Sequence, residues 1–133
     1  MRRIFDQTLL TTVALSAAGA STASDPIDLG EGFQFPTNEH CQFAVDVPAL
    51  ANLAEGETVT LKVQHAATTA ASDFLDLPGA SAIITGDVGG GAVASSFAFS
   101  VPPDCRRYLR LHVAVSAAGG DNTAVEATLA LAF

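Results

Sequence analysis

The 133-residue chain carries 14 acidic against 6 basic residues, a formal net charge of −8, with 49% hydrophobic and only 15% charged positions. It is long enough to bury one core and too short for two, and too apolar for a disordered polymer. Nucleic acid and anionic membranes repel such a chain, because its basic clusters, Arg2-Arg3 and Arg106, Arg107 and Arg110, are too small to track phosphates.

The chain begins with an imitation of a secretory signal: Met1-Arg2-Arg3, a mildly apolar run from Leu9 to Ala20, and small residues at its end. Asp6 and Gln7 interrupt the junction, and Thr8, Thr11, Thr12 and Ser16 dilute the run. No segment approaches the ~20 unbroken apolar residues of a membrane span. Residues 8–24 are almost entirely Ala, Ser, Thr, Leu and Val, with poor alternation. Two expectations follow for 1–30: an extended N-terminal arm that pairs with an exposed edge, or a first strand and loop.

Beyond residue 30 the hydrophobic pattern has a period of two, the signature of half-buried strands. Phe43, Val45 and Val47 alternate with Gln42, Ala44 and Asp46. Val59, Leu61 and Val63 alternate with Thr60, Lys62 and Gln64. Residues 66–71 are expected to form at most a helical turn. Phe97, Phe99 and Val101 then alternate with Ser96, Ala98 and Ser100, and Leu109, Leu111, Val113 and Val115 with Arg110, His112 and Ala114. Val125, Ala127, Leu129, Leu131 and Phe133 make one face of a strand expected to run to the last residue. Asp25-Pro26, Pro36-Thr37-Asn38, Glu55-Gly56, Pro78-Gly79, Gly89-Gly90-Gly91, Pro102-Pro103 and Gly119-Gly120-Asp121-Asn122 read as turns or loops. About eight short strands at this spacing predict an all-β, single-domain β-sandwich or jelly roll over 31–133, preceded by the extended arm.

The chemistry-bearing residues predict no enzyme. His40, His65 and His112 lack the close spacing of a zinc site, and Asp73 and Asp76 lack the remaining ligands of a calcium loop. No serine sits in a Gly-x-Ser-x-Gly elbow. The stretch 86–91 is Gly-rich but lacks the Lys-Ser/Thr of a phosphate loop, so it reads as a flexible hairpin connection. Cys41 and Cys105 are expected to be two independent buried thiols. No cofactor or metal is expected.

The most informative stretch is Val101-Pro102-Pro103-Asp104-Cys105-Arg106-Arg107-Tyr108-Leu109-Arg110-Leu111-His112-Val113. With Asp6-Gln7, Pro26-Ile27-Asp28-Leu29-Gly30 and the strand Thr58-Val59-Thr60-Leu61-Lys62-Val63-Gln64-His65, it resembles the tailed-phage capsid cement (head decoration) proteins of the jelly-roll type. The Arg-Tyr-Leu-Arg-Leu run is also similar to a strand of discoidin-like carbohydrate-binding sandwiches, but the absence of Trp and the single Tyr leave little for a sugar-stacking platform.

The cement resemblance implies a structural virion protein. It would be made in the host cytoplasm and bind the outer capsid surface, bridging major capsid protein subunits as a homodimer or homotrimer. Nucleic acid, membrane and small-molecule substrates have no place in that role. The expected capsid or subunit contacts are Ile4, Phe5, Leu9 and Leu10 in the arm, with Arg107 and Arg110; as plain strand surface, the two arginines would pair with Asp104 or Glu126. The alternatives are a secreted or periplasmic β-sandwich binding module with a cleaved signal, and a pilus-like subunit whose N-terminal segment is a donor strand.

Overall fold

In 58–66 the odd positions Val59, Leu61 and Val63 are buried and the even ones between them are half-exposed, so a period-two pattern has become a strand with one face on a core. The computed structural model describes residues 5–30, 42–102 and 104–132. Its strands are β1 (Phe5–Ala14), β2 (Ser21–Ala23), β3 (Ile27–Asp28), β4 (Gln42–Val47), β5 (Thr58–Ala66), β6 (Leu75–Thr85), β7 (Ser95–Phe99), β8 (Tyr108–Val115) and β9 (Glu126–Ala132). A single 3₁₀ turn, Ala71–Asp73, takes the place of the helical turn expected at 66–71.

The chain is all-β, with two antiparallel sheets packed as a β-sandwich. Sheet A has the order β1-β9-β4-β7; sheet B has the order β2-β8-β5-β6, with β3 pairing β8 beside β2. If β2 and β3 count as one interrupted strand, β1 pairs with β9, β2/β3 with β8, β4 with β7 and β5 with β6. These are the pairings of one long hairpin. Rolling that hairpin adds β4–β9 and β5–β8 and closes a jelly-roll-like topology. The interruption falls where Pro26 has no N–H to give the ladder. Ser24 keeps the gap bonded, its N–H donating to the Leu111 carbonyl at 2.8 Å and its Oγ accepting from the Leu111 N–H at 2.9 Å.

The core lies between the sheets. Phe43, Val45, Phe99 and Leu129 of sheet A face Leu61, Val63, Leu109, Leu111 and Val113 of sheet B. The Phe43 and Phe99 rings stack with centroids 6.0 Å apart and planes 19° apart. Each fully buried side chain of this kind contributes about 1.5–3 kcal/mol relative to exposure. Leu50 and Leu53, on the connection between β4 and β5, are buried in the same core.

Residues 5–28 take the form of a first strand followed by two short ones, all paired within the two sheets. Strand β1 pairs with β9 in six register pairs, and Thr11 Oγ1 donates to the Asp25 carbonyl at 2.8 Å, tying β1 to the β2–β3 kink. Three other local expectations change. Pro78-Gly79 is no turn but a bulge inside β6, where the register with β5 jumps between Lys62 and Gln64. An edge strand tolerates the proline because one side of its ladder is open. The Gly-rich segment is no hairpin: it carries the chain from β6 in sheet B to β7 in sheet A. It is also pinned, with the Gly91 N–H donating to the Leu53 carbonyl at 2.7 Å and the Gly89 N–H to Glu55 Oε2 at 3.0 Å. Third, Cys105 is a free thiol but only half-buried. Cys41, His40, the Pro36-Thr37-Asn38 turn and Phe133 lie outside the described residues.

Candidate interaction surface

Burying Leu109, Leu111, Val113 and Val115 of β8 forces Tyr108, Arg110, His112 and Ala114 onto the outer face of sheet B. The same constraint on β5 turns Thr60, Lys62 and Gln64 outward. The ladder then sets neighbours: Lys62 opposes His112, and Gln64 opposes both Arg110 and Asp76. Side chains distant in sequence meet as a consequence.

They form a bonded row across three strands. Arg110 Nε donates to Gln64 Oε1 at 2.9 Å, Gln64 Nε2 donates to Asp76 Oδ1 at 2.9 Å, and Lys62 Nζ donates to Asp76 Oδ2 at 3.0 Å. These bonds hold the Asp76 carboxyl below its usual range, Gln64 contributing most and Lys62 next. The Arg110 guanidinium lies 4.1 Å above the centroid of the Phe74 ring. Among the described residues no carboxylate pairs with it: a neutral amide and an aromatic face hold it in place. Partial burial pulls its pKa down, and burial with the neighbouring Arg110 charge does the same to His112.

A second cluster sits where the chain enters β8. Arg107 Nε donates to Asp28 Oδ1 at 2.8 Å and Nη2 to Asp28 Oδ2 at 3.0 Å, and its Cζ lies 5.2 Å from the Tyr108 ring centroid. That fork, with the Gly30 N–H donating at 2.8 Å, lowers the Asp28 carboxyl to about 2. Behind it, His65 is buried and its Nδ1 accepts the Arg106 N–H at 3.2 Å; desolvation lowers its pKa. Burial raises the neighbouring Cys105 thiol to about 11, so at neutral pH it is protonated and a poor nucleophile.

Arg107 and Arg110 are thus brought onto one side of the sandwich, but their partners are Asp28 and Gln64, not Asp104 or Glu126. The chain wraps Asp28 against β8 through the β3 pairing, 79 positions away from Arg107, and no local signal in the sequence marks that contact. Gln64 was legible as an outward residue; Phe74 as the support under Arg110 was not. The N-terminal candidates go to the other sheet. Leu9 and Leu10 are half-buried in β1, with Leu9 packed against the core, and Phe5 enters by its backbone opposite Ala132. Ile4 lies outside the described residues.

All four Lys and Arg of the described residues (Lys62, Arg106, Arg107 and Arg110) therefore belong to β5, β8 or the turn that leads into β8. The outer face of sheet A has a different character. It carries an open concavity of about 360 Å³ beside Asp46, Ser96, Glu126 and Thr128, with no cation in its lining. Among the described residues no three His, Cys, Asp or Glu side chains converge as a metal cluster would, and no helix is long and apolar enough to cross a membrane. No protein-family model matches the chain, and no curated protein matches it in sequence.

Proposed function

We propose that this chain is a structural decoration protein. It binds the outer surface of a tailed-phage capsid and stabilises the shell by bridging major capsid protein subunits, with no catalytic step. The observation that carries this is the outer face of sheet B. An acidic chain places Lys62 and Arg110 there, with Arg107 beside them where the chain enters β8, and a neutral amide and an aromatic ring support Arg110. Such a surface suits docking on a protein that offers carboxylates and carbonyls, and its polar, pre-bonded make-up favours orientation and specificity. Weak individual contacts suffice on an icosahedral lattice, because repeated engagement multiplies them. Arg107 is already committed to Asp28, so Arg110 is the better contact of the two. The β1 residues Leu9 and Leu10 are assigned a supporting contact at the free edge of sheet A.

The exported-module alternative has a structural cost. Removing about 20 residues as a signal would take away β1 and the buried Leu15, leaving β9 without its outer partner.

Co-sedimentation of the purified full chain with expanded and with procapsid-like shells of a candidate phage tests the proposal. Saturable binding to expanded shells, in simple proportion to the major capsid protein, is the expected result. Failure to bind either shell, together with a processed N-terminus by intact mass, would overturn it in favour of the exported module.

A further inference from the structure

Strand β6, 11 residues, is the longest strand among the described residues, and among them it ends the order of sheet B, with a ladder only to β5. Open edges invite pairing with another chain, and proteins guard them with proline, bulges and charge. Every such guard on β6 lies in its first half: Asp76, Pro78, Gly79 at φ 78°, and the register jump opposite Lys62 and Gln64. The second half, 80–85, is Ala-Ser-Ala-Ile-Ile-Thr, with no charge, proline or glycine. It runs in unbroken register with β5, from Ser81 opposite Lys62 to Thr85 opposite Thr58. Ala80 and Ile84 point into the core, whereas Ile83 is 67% exposed, and Leu75 on the same strand is 52% exposed. Of the other sheet ends, β2 and β3 are short and broken at Pro26, β1 carries a register shift between Phe5 and Leu10, and β7, though uncharged and in unbroken register with β4, is only five residues long.

We propose that two copies of this chain pair antiparallel through residues 81–85 of β6 across a two-fold axis, fusing their B sheets into one continuous sheet. A second copy is the occupant because the segment is self-complementary. Centred on Ile83, the pairing sets Ile83 against its own mate and Ser81 against Thr85, with residues of equal parity on the same face. Charge points the same way. A molecule of net charge −8 repels its own kind over most of its surface, and the nearest carboxylate of the strand, Asp76, is matched by Lys62. The contact is isologous and closes at two. Of the homodimer and homotrimer expected from the sequence resemblance, this pairing selects the dimer, and it does so whether or not the chain binds a capsid.

Light scattering coupled to size exclusion over a dilution series of the full chain tests this, alongside Ile83→Lys and a control, Val88→Lys, at a 93%-exposed loop position off β6. The expected wild-type mass is twice 13.6 kDa. Ile83→Lys, which sets two like charges opposite each other, is expected to weaken the dimer by at least about tenfold in Kd, with an unchanged far-UV spectrum. Val88→Lys is expected to leave it intact. Amide hydrogen exchange on wild type supplies a readout free of substitutions: protection within 81–85 should rise with concentration. A monomer at every concentration, a trimer, or a dimer untouched by Ile83→Lys and without that protection would overturn the proposal.

Discussion

The two outer faces of the sandwich are built on the same inner pattern and end in opposite chemistry. Across sheet A, one ladder row reads Ala98, Ala44, Ala130 and Leu10, with Ala44 and Ala130 fully buried, and the next reads Ser96, Asp46, Thr128 and Thr12. Across sheet B, the equivalent rows read Asp76, Gln64 and Arg110, then Ser81, Lys62 and His112. Methyl groups and short hydroxyls give sheet A little to bond with. Sheet B carries long donors and acceptors already joined to one another. The inner residues make both sheets equally necessary to the fold, so the outward half of each strand is where function separates from stability.

The largest effects should therefore come from inward residues and be alike in the two sheets. Phe43→Ala in sheet A is expected to cost about 3–5 kcal/mol and Leu111→Ala in sheet B about 2–5 kcal/mol, both measurable by denaturant unfolding. If only one sheet were sensitive, the equivalence of the inner faces would fail.

Outward substitutions should then divide the faces. Arg110→Ala is expected to change stability by no more than about 1 kcal/mol, the scale of an exposed cation–π contact, while weakening shell binding by about tenfold or more. Asp46→Asn on sheet A is expected to leave shell binding within about twofold, as for an isolated surface charge. Equal effects at the two positions in the co-sedimentation assay would remove the case for sheet B as the docking face.

The smaller predictions concern titration on the sheet B side. The folded Asp28 carboxyl, at about 2, lies below its ordinary value of 3.8, so the Arg107 clamp stabilises the fold fully above pH 3.8 and is progressively lost as pH falls toward 2. Carboxyl NMR titration should show the depressed midpoint in wild type and a return toward 3.8 in Arg107→Gln. His65 is also lowered, here by burial, from 6.5. Its neutral form is the one that accepts the Arg106 N–H, so this contribution is complete above pH 6.5 and declines as pH falls below it. Thermal melts from neutral to mildly acidic pH should show a shallower decline in His65→Gln than in wild type.

Which parts were legible from residues alone follows from range. The strands with clean alternation, β4, β5, β7, β8 and β9, were readable because one face of each meets the core. Strand β6 was not, since Pro78-Gly79 reads as a turn until an edge position allows it to be a bulge. Strand β1 was ambiguous because Ala, Thr and Leu suit an arm and a strand alike. At the candidate surface, Arg107 and Arg110 stood out by their pattern, while Asp28, Gln64 and Phe74 as their partners depended on strand order.

By itself the sequence determined the all-β class, the core-facing residues of five strands, and the acidic balance of the chain. These are properties of composition and of a two-residue repeat, which a strand imposes wherever it lies. Only the tertiary structure decided that β3 lies against β8 and that β6 ends its sheet among the described strands, with Arg110 bonded to Gln64 above Phe74. Those outcomes depend on which strands become neighbours. The rolled hairpin settles that through the burial of all the inner faces at once, and no single segment encodes it.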